Sequence, residues 1–190
     1  MVFNKVFVEG PKQVRSEVHL ASSQDGLKWT EHGAILPPRL EGADVIGYGR
    51  PCVLRLPDSA GYVAFVELVA ADFTRSIGMA RSKDGRQWTQ ARRPAGSSDD
   101  ETTSSVYRCL DASKREDVMW DAGGVKSPFA MLAADSNVVH LYYEGLSTAS
   151  SAPDGQVHAP QIGLATCSLR DVCDEATLPR FQRVLLPVLS

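Results

Sequence analysis

Ser23-Gln24-Asp25-Gly26-Leu27-Lys28-Trp29-Thr30 recurs as Ser82-Lys83-Asp84-Gly85-Arg86-Gln87-Trp88-Thr89, one S-x-D-G-x-x-W-T pattern whose aspartates stand 59 positions apart, at 25 and 84. An Asp-Gly pair flanked by alternating apolar residues is a strong short-range signal for a tight β-hairpin. The alternating runs are there: Val18-His19-Leu20-Ala21 leads into the first copy and Ile77-Gly78-Met79-Ala80 into the second. A third such run, Ile162-Gly163-Leu164-Ala165, is followed by Leu169-Arg170-Asp171 where the Asp-Gly turn would stand. Self-similarity at a fixed period points to a repeat architecture, so one unit can be worked out and then counted.

A second register runs through the other half of the unit. Asp44-Val45-Ile46-Gly47-Tyr48-Gly49-Arg50-Pro51 aligns with Asp121-Ala122-Gly123-Gly124-Val125-Lys126-Ser127-Pro128, with Asp, Gly and Pro in common and no gap. Sixteen positions after each proline stands a glutamate, Glu67 and Glu144, closing the apolar runs Val63-Ala64-Phe65-Val66 and Leu141-Tyr142-Tyr143. Within one unit, Cys52 to Leu56 reads as a buried strand, and Pro57-Asp58-Ser59-Ala60-Gly61 supplies turn chemistry. Tyr62 to Leu68 reads as a second strand, Ser76 to Ser82 as a third, and Trp88-Thr89-Gln90 as the opening of a fourth.

Four antiparallel strands, repeated, make the blade of a β-propeller, so the fold class expected is all-β. The blade pieces are residues 1–39, 40–94 and 118–186, with an acidic, polar linker over 95–117. The first piece begins on its second strand, at Val6-Phe7-Val8-Glu9. About three blades are too few to close a ring, which takes at least about four. Two expectations follow: a fragment, or self-association of two chains to complete the propeller. Stacked blades bury both sheet faces, which places Trp29 and Trp88 in the packing between blades. Asp25 and Asp84, inside the turns, are expected to be structural.

The net charge of −3, with acids and bases interspersed, gives no basic stripe for a nucleic-acid partner. No apolar run approaches the roughly 18 residues of a membrane span. Cys52, Cys109, Cys167 and Cys173 match neither zinc nor redox spacing and read as buried free thiols, with a Cys167–Cys173 bridge left open. His19, His32, His140 and His158 are not at metal-ligand spacing, and no phosphate-binding glycine loop is present. No cofactor or metal is expected. The compartment is left open.

The elements Trp120-Asp121 through Pro128, Tyr142-Tyr143-Glu144-Gly145, and the two Asp-Gly hairpins with their tryptophans resemble blades of the five-bladed propeller glycoside hydrolases of families 43, 62, 32 and 68. The resemblance implies a carbohydrate ligand and hydrolysis of a glycosidic bond, often at arabinose, xylose or fructose units. It also implies acidic residues around the propeller axis. That chemistry takes one protonated carboxyl and one ionised carboxylate. In a blade, the innermost strand starts and the second strand ends on the same face. Asp44 and Asp121 precede innermost strands, while Glu9, Glu67 and Glu144 end second strands. The catalytic candidates are therefore Asp44, Asp121, Glu67 and Glu144. Arg50 and Lys126 are the cations that could lower a carboxyl pKa nearby, and with Tyr48 they are the substrate-binding candidates.

The pattern departs from the family at the catalytic motifs. Gly49-Arg50-Pro51 occupies the Arg-Asp-Pro place without its carboxylate, and neither the Asp-Pro nor the Glu-Cys motif is found. A second reading follows from this: a non-catalytic propeller that binds carbohydrate or protein, its repeated carboxylates serving turn N–H groups. A third, a sialidase-type propeller, ranks last. Its Asp-box has a further residue between Asp and Gly that both copies lack.

Overall fold

The computed structural model describes residues 1–10, 13–36, 45–89, 106–113, 120–134, 137–147 and 159–184. Three blades are laid out in chain order. Blade I comprises β1 (Val2–Gly10), β2 (Gln13–Ser22) and β3 (Thr30–Leu36); blade II comprises β4 (Val45–Arg55), β5 (Tyr62–Ala70), β6 (Arg75–Ser82) and β7 (Tyr107–Leu110). Blade III comprises β8 (Gly124–Leu132), β9 (Val138–Leu146), β10 (Gln161–Ser168) and β11 (Gln182–Arg183). A short helix, α1 (Leu169–Cys173), stands where blade III lacks the Asp-Gly turn, capped by the Ser168 hydroxyl accepting from the Asp171 N–H. Strand partners within each blade are antiparallel; one parallel bridge, Ser16 to Gly47, joins blades I and II. The chain is all-β and forms a partial propeller.

Both hairpins are built from the same bonds. The Asp25 carboxylate accepts from the N–H groups of Leu27 and Lys28 at 2.8 Å, and Asp84 accepts from Arg86 and Gln87 at the same distance. Each tryptophan donates its indole N–H to the turn glycine's carbonyl, Trp29 to Gly26 and Trp88 to Gly85. The tryptophans differ in their packing. Trp88 is buried between blades I and II as expected, whereas Trp29 is 46% exposed because nothing among the described residues packs over that corner of blade I.

The fourth strand of blade II also departs from expectation. Thr89 makes only an isolated bridge to Arg81, and the strand beside β6 is β7, inside the span read as linker. Val106, Cys109 and Leu110 are buried there. Four apolar-patterned residues next to a long polar run were too short a signal to stand out.

Blade II is covered on both faces. Along β5, Val63 and Phe65 join a core with blade III that includes Val125, Leu141, Tyr143 and Phe181. The alternate residues Ala64, Val66 and Leu68 join a core with blade I that includes Val18 and Leu36. Period-two alternation places these two sets on opposite faces, and two cores bury the strand from Val63 to Leu68. The four cysteines are free, with no bridge between Cys167 and Cys173, and burial pushes all four thiol pKa values up. No helix among the described residues is long and apolar enough to cross a membrane.

Candidate functional site

Pro51 and Pro128 sit inside the innermost strands, where proline has no N–H to give the ladder. Both ladders slip there, between Gly49 and Cys52 in β4 and between Lys126 and Phe129 in β8. The residues just before the prolines, Arg50 and Ser127, have φ of 45° and 53°. Few non-glycine residues take positive φ, and such conformations persist only where the surroundings over-determine them. A bulge re-aims side chains out of the ladder's plane. Here the two bulges, at the same register of neighbouring blades, aim Arg50 and Ser127 at each other.

The guanidinium Nη1 of Arg50 donates to the Ser127 hydroxyl, and that hydroxyl donates to Glu144 Oε2 at 2.9 Å. Arg50 Nη1 also lies 3.6 Å from Glu67 Oε2 and 3.6 Å from Glu144 Oε2, so the two carboxylate oxygens are no further apart than twice that distance. Lys126 Nζ stands 3.1 Å from Glu144. The hydrogen bond from Ser127, then that from Lys126, holds the Glu144 carboxyl below the usual glutamate range, with Arg50 adding to the effect. Glu67 is buried; Arg75 pairs with it, and the Ser127 N–H donates to it at 3.4 Å. Glu67 thus secures the Ser127 backbone in its uncommon conformation, while the half-exposed Glu144 faces outward.

The structure brings four of the sequence candidates together: Glu67, Glu144, Arg50 and Lys126. It takes Asp121 elsewhere. That side chain is fully buried, accepting from Arg183 Nε at 2.7 Å and from the Tyr143 hydroxyl at 3.1 Å. Burial, then the charge of Asp121, pushes the Tyr143 pKa up. Tyr143 and Glu144 are consecutive on β9 and point to opposite faces, so Asp121 and Glu144 are on opposite sides of blade III. Its Oδ1 has no hydrogen-bond partner among the described residues. Tyr48 is buried in the core between blades I and II. Asp44 lies outside the described residues, as does the side chain of Glu9.

Ser127 and Arg75 were not among the sequence candidates. The residue before each matched proline was a legible signal for Ser127; nothing in the repeat marks Arg75. Among the described residues, no group of three or more His, Cys, Asp or Glu could hold a metal ion.

No protein-family model matches the chain, and no curated protein matches it significantly. Solved structures do. A glycoside hydrolase superposes with a TM-score of 0.57 at 16% identity, over 98% of this chain and 43% of its own. Zg3597, a family 117 glycoside hydrolase of the marine bacterium Zobellia galactanivorans, gives 0.56 at 20% identity, over 90% and 42%. An alpha-L-arabinofuranosidase from Lactobacillus brevis gives 0.56 at 12% identity, over 93% and 46%. The chain spans less than half the length of each. At these identities the likeness is one of fold: the partial propeller has the architecture of the β-propeller glycoside hydrolases.

Proposed function

We propose, from the propeller fold shared with glycoside hydrolases, that this chain is carbohydrate-active and takes a saccharide at the face built by Arg50, Lys126, Ser127 and Glu144. One observation carries the reading: two glutamates from neighbouring blades converge on a single arginine through bulged residues at matching register. In glycosidic hydrolysis Glu144 is the ionised carboxylate that attacks the sugar or activates water, since its hydrogen bonds favour the charged form. Arg50 and Lys126 orient it and donate to sugar hydroxyls. Glu67 is a positioning residue acting through Ser127 and Arg50. The protonated carboxyl is assigned to Asp44 on its sequence position alone, immediately before β4.

A panel of aryl glycosides tests this. Glu144→Gln should lower turnover at least about 100-fold, the scale of a lost acid–base or nucleophilic group. Turnover that survives both Glu144→Gln and Asp44→Asn overturns the assignment. Saccharide binding with no turnover of any glycoside favours the non-catalytic propeller. Self-association is a further part of the proposal, supported by Phe129 (59% exposed) and Met131 (42%) on the outward face of blade III. Sedimentation of a strict monomer at high concentration would refute it.

A further inference from the structure

Among the described residues, the charges at this face do not balance. Arg50, Arg75 and Lys126 are three cations set against the two carboxylates of Glu67 and Glu144. Glu67 is buried and spent on Arg75, so the solvent-facing part is richer still in positive charge. Arg50, whose side chain is 54% exposed, makes its contacts to Ser127, Glu67 and Glu144 through Nη1 alone. Among the described residues, no hydrogen bond engages Nε or Nη2. Those two nitrogens share one edge of the guanidinium, a rigid fork whose parallel N–H groups match the oxygens of a carboxylate or sulfate. A sugar hydroxyl satisfies one such N–H and leaves the excess charge unanswered.

We infer that the saccharide bound here carries an anionic group, a carboxylate or a sulfate ester, seated on the Nε–Nη2 edge of Arg50 beside Lys126; the inference rests on the saccharide-binding reading above. The chain as a whole has a net charge of −3 and repels polyanions, so an anion that binds is drawn by this local field.

Calorimetric titration of the intact chain with trigalacturonate, a sulfated galactose trisaccharide and neutral galactotriose tests the inference. An anionic trisaccharide should bind about tenfold more tightly than the neutral one, the yield of one charge-assisted fork. Raising the salt should shrink that ratio. Arg50→Gln should abolish it, and Arg50→Lys, which keeps the charge without the fork, should restore only part. Should Arg50→Gln melt early, Lys126→Gln reads the same field from the next strand; Arg86→Gln, in the remote hairpin, should change nothing. Equal affinity for neutral and anionic sugars overturns the inference and leaves the proposed function standing, as does an anionic preference untouched by Arg50→Gln and Lys126→Gln. Failure of all three sugars to bind overturns the proposed function and the inference with it. The trisaccharide preferred identifies the anionic group.

Discussion

Asp84 holds its hairpin by accepting two backbone N–H groups, first from Gln87 and then from Arg86, and these bonds lower its pKa below the ordinary 3.8. A carboxyl with a depressed folded pKa adds stability that is fully present above its unfolded value and is lost as pH falls through the folded one. Asp84→Ala should therefore lower the Tm at neutral pH and flatten its decline below about pH 4, while Asp84→Asn, keeping an acceptor oxygen, should lose less. Thermal melts across pH 2 to 7 read both effects. Gly163 is constrained differently. A Cβ there would lie 2.4 Å from Trp120 Cη2 and 2.5 Å from Tyr143 Cζ, closer than real Cβ contacts come, on rings stacked 5.6 Å apart. Gly163→Ala should cost about 1–3 kcal/mol in urea denaturation, the range for overpacking a filled site. Both aspartates of the hairpins were legible from their pattern. The glycine's role was not, since Trp120 lies 43 positions away and meets it only across blade III.

Among the elements, α1 is too short to be stable alone, and its last carbonyls need partners. Arg81 of β6 supplies them across the blade boundary, donating from Nε to the Val172 carbonyl at 2.7 Å and from Nη2 to that of Asp171 at 3.0 Å; Nη2 also reaches the Thr177 carbonyl beyond the helix at 3.3 Å. The arginine is itself buried, so its loss leaves carbonyls without donors. Arg81→Met should destabilise the fold by about 3 kcal/mol, and hydrogen exchange should rise first over residues 169–173. The innermost strands show the limit of pattern reading. Their matched prolines were visible, but the apolar pattern starts the strand after Pro51, at Cys52, whereas β4 runs Val45–Arg55 and a proline inside a strand implies a bulge. That the bulges turn Arg50 and Ser127 to positive φ and face them toward each other depends on where blade III sits against blade II.

At the scale of the whole molecule, the position of a blade sets what its residues are worth. Cys52 and Phe129 occupy the same bulge-flanking register in blades II and III, yet Cys52 packs into the inter-blade core and Phe129 is exposed. Phe65→Ala, which empties the centre of that core, should cost about 3–5 kcal/mol, whereas Phe129→Ala, compared at a dilution where the chain is monomeric, should stay within about 0.5 kcal/mol. Denaturant midpoints of the two variants make the comparison. The same burial predicts thiol behaviour. Every cysteine has a raised pKa, so at pH 8 the native chain should react slowly with a thiol reagent, Cys109 slowest, and release four equivalents when unfolded in urea.

The repeat, its hairpins, its matched prolines and the alternation of its strands were all determined by the sequence, because each is set by residues within a few positions of one another. The meeting of charges was decided by the tertiary structure. Asp44 and Asp121, equivalent to each other by register, were the best axial candidates, but Arg183, 62 positions downstream, draws Asp121 into the interior. Glu67 and Glu144 share a site only because Arg50 crosses from one blade to the next, 77 positions from Ser127. Periodicity reports which residues are alike within their own blades. Which of them can share a ligand depends on how the blades are packed against one another.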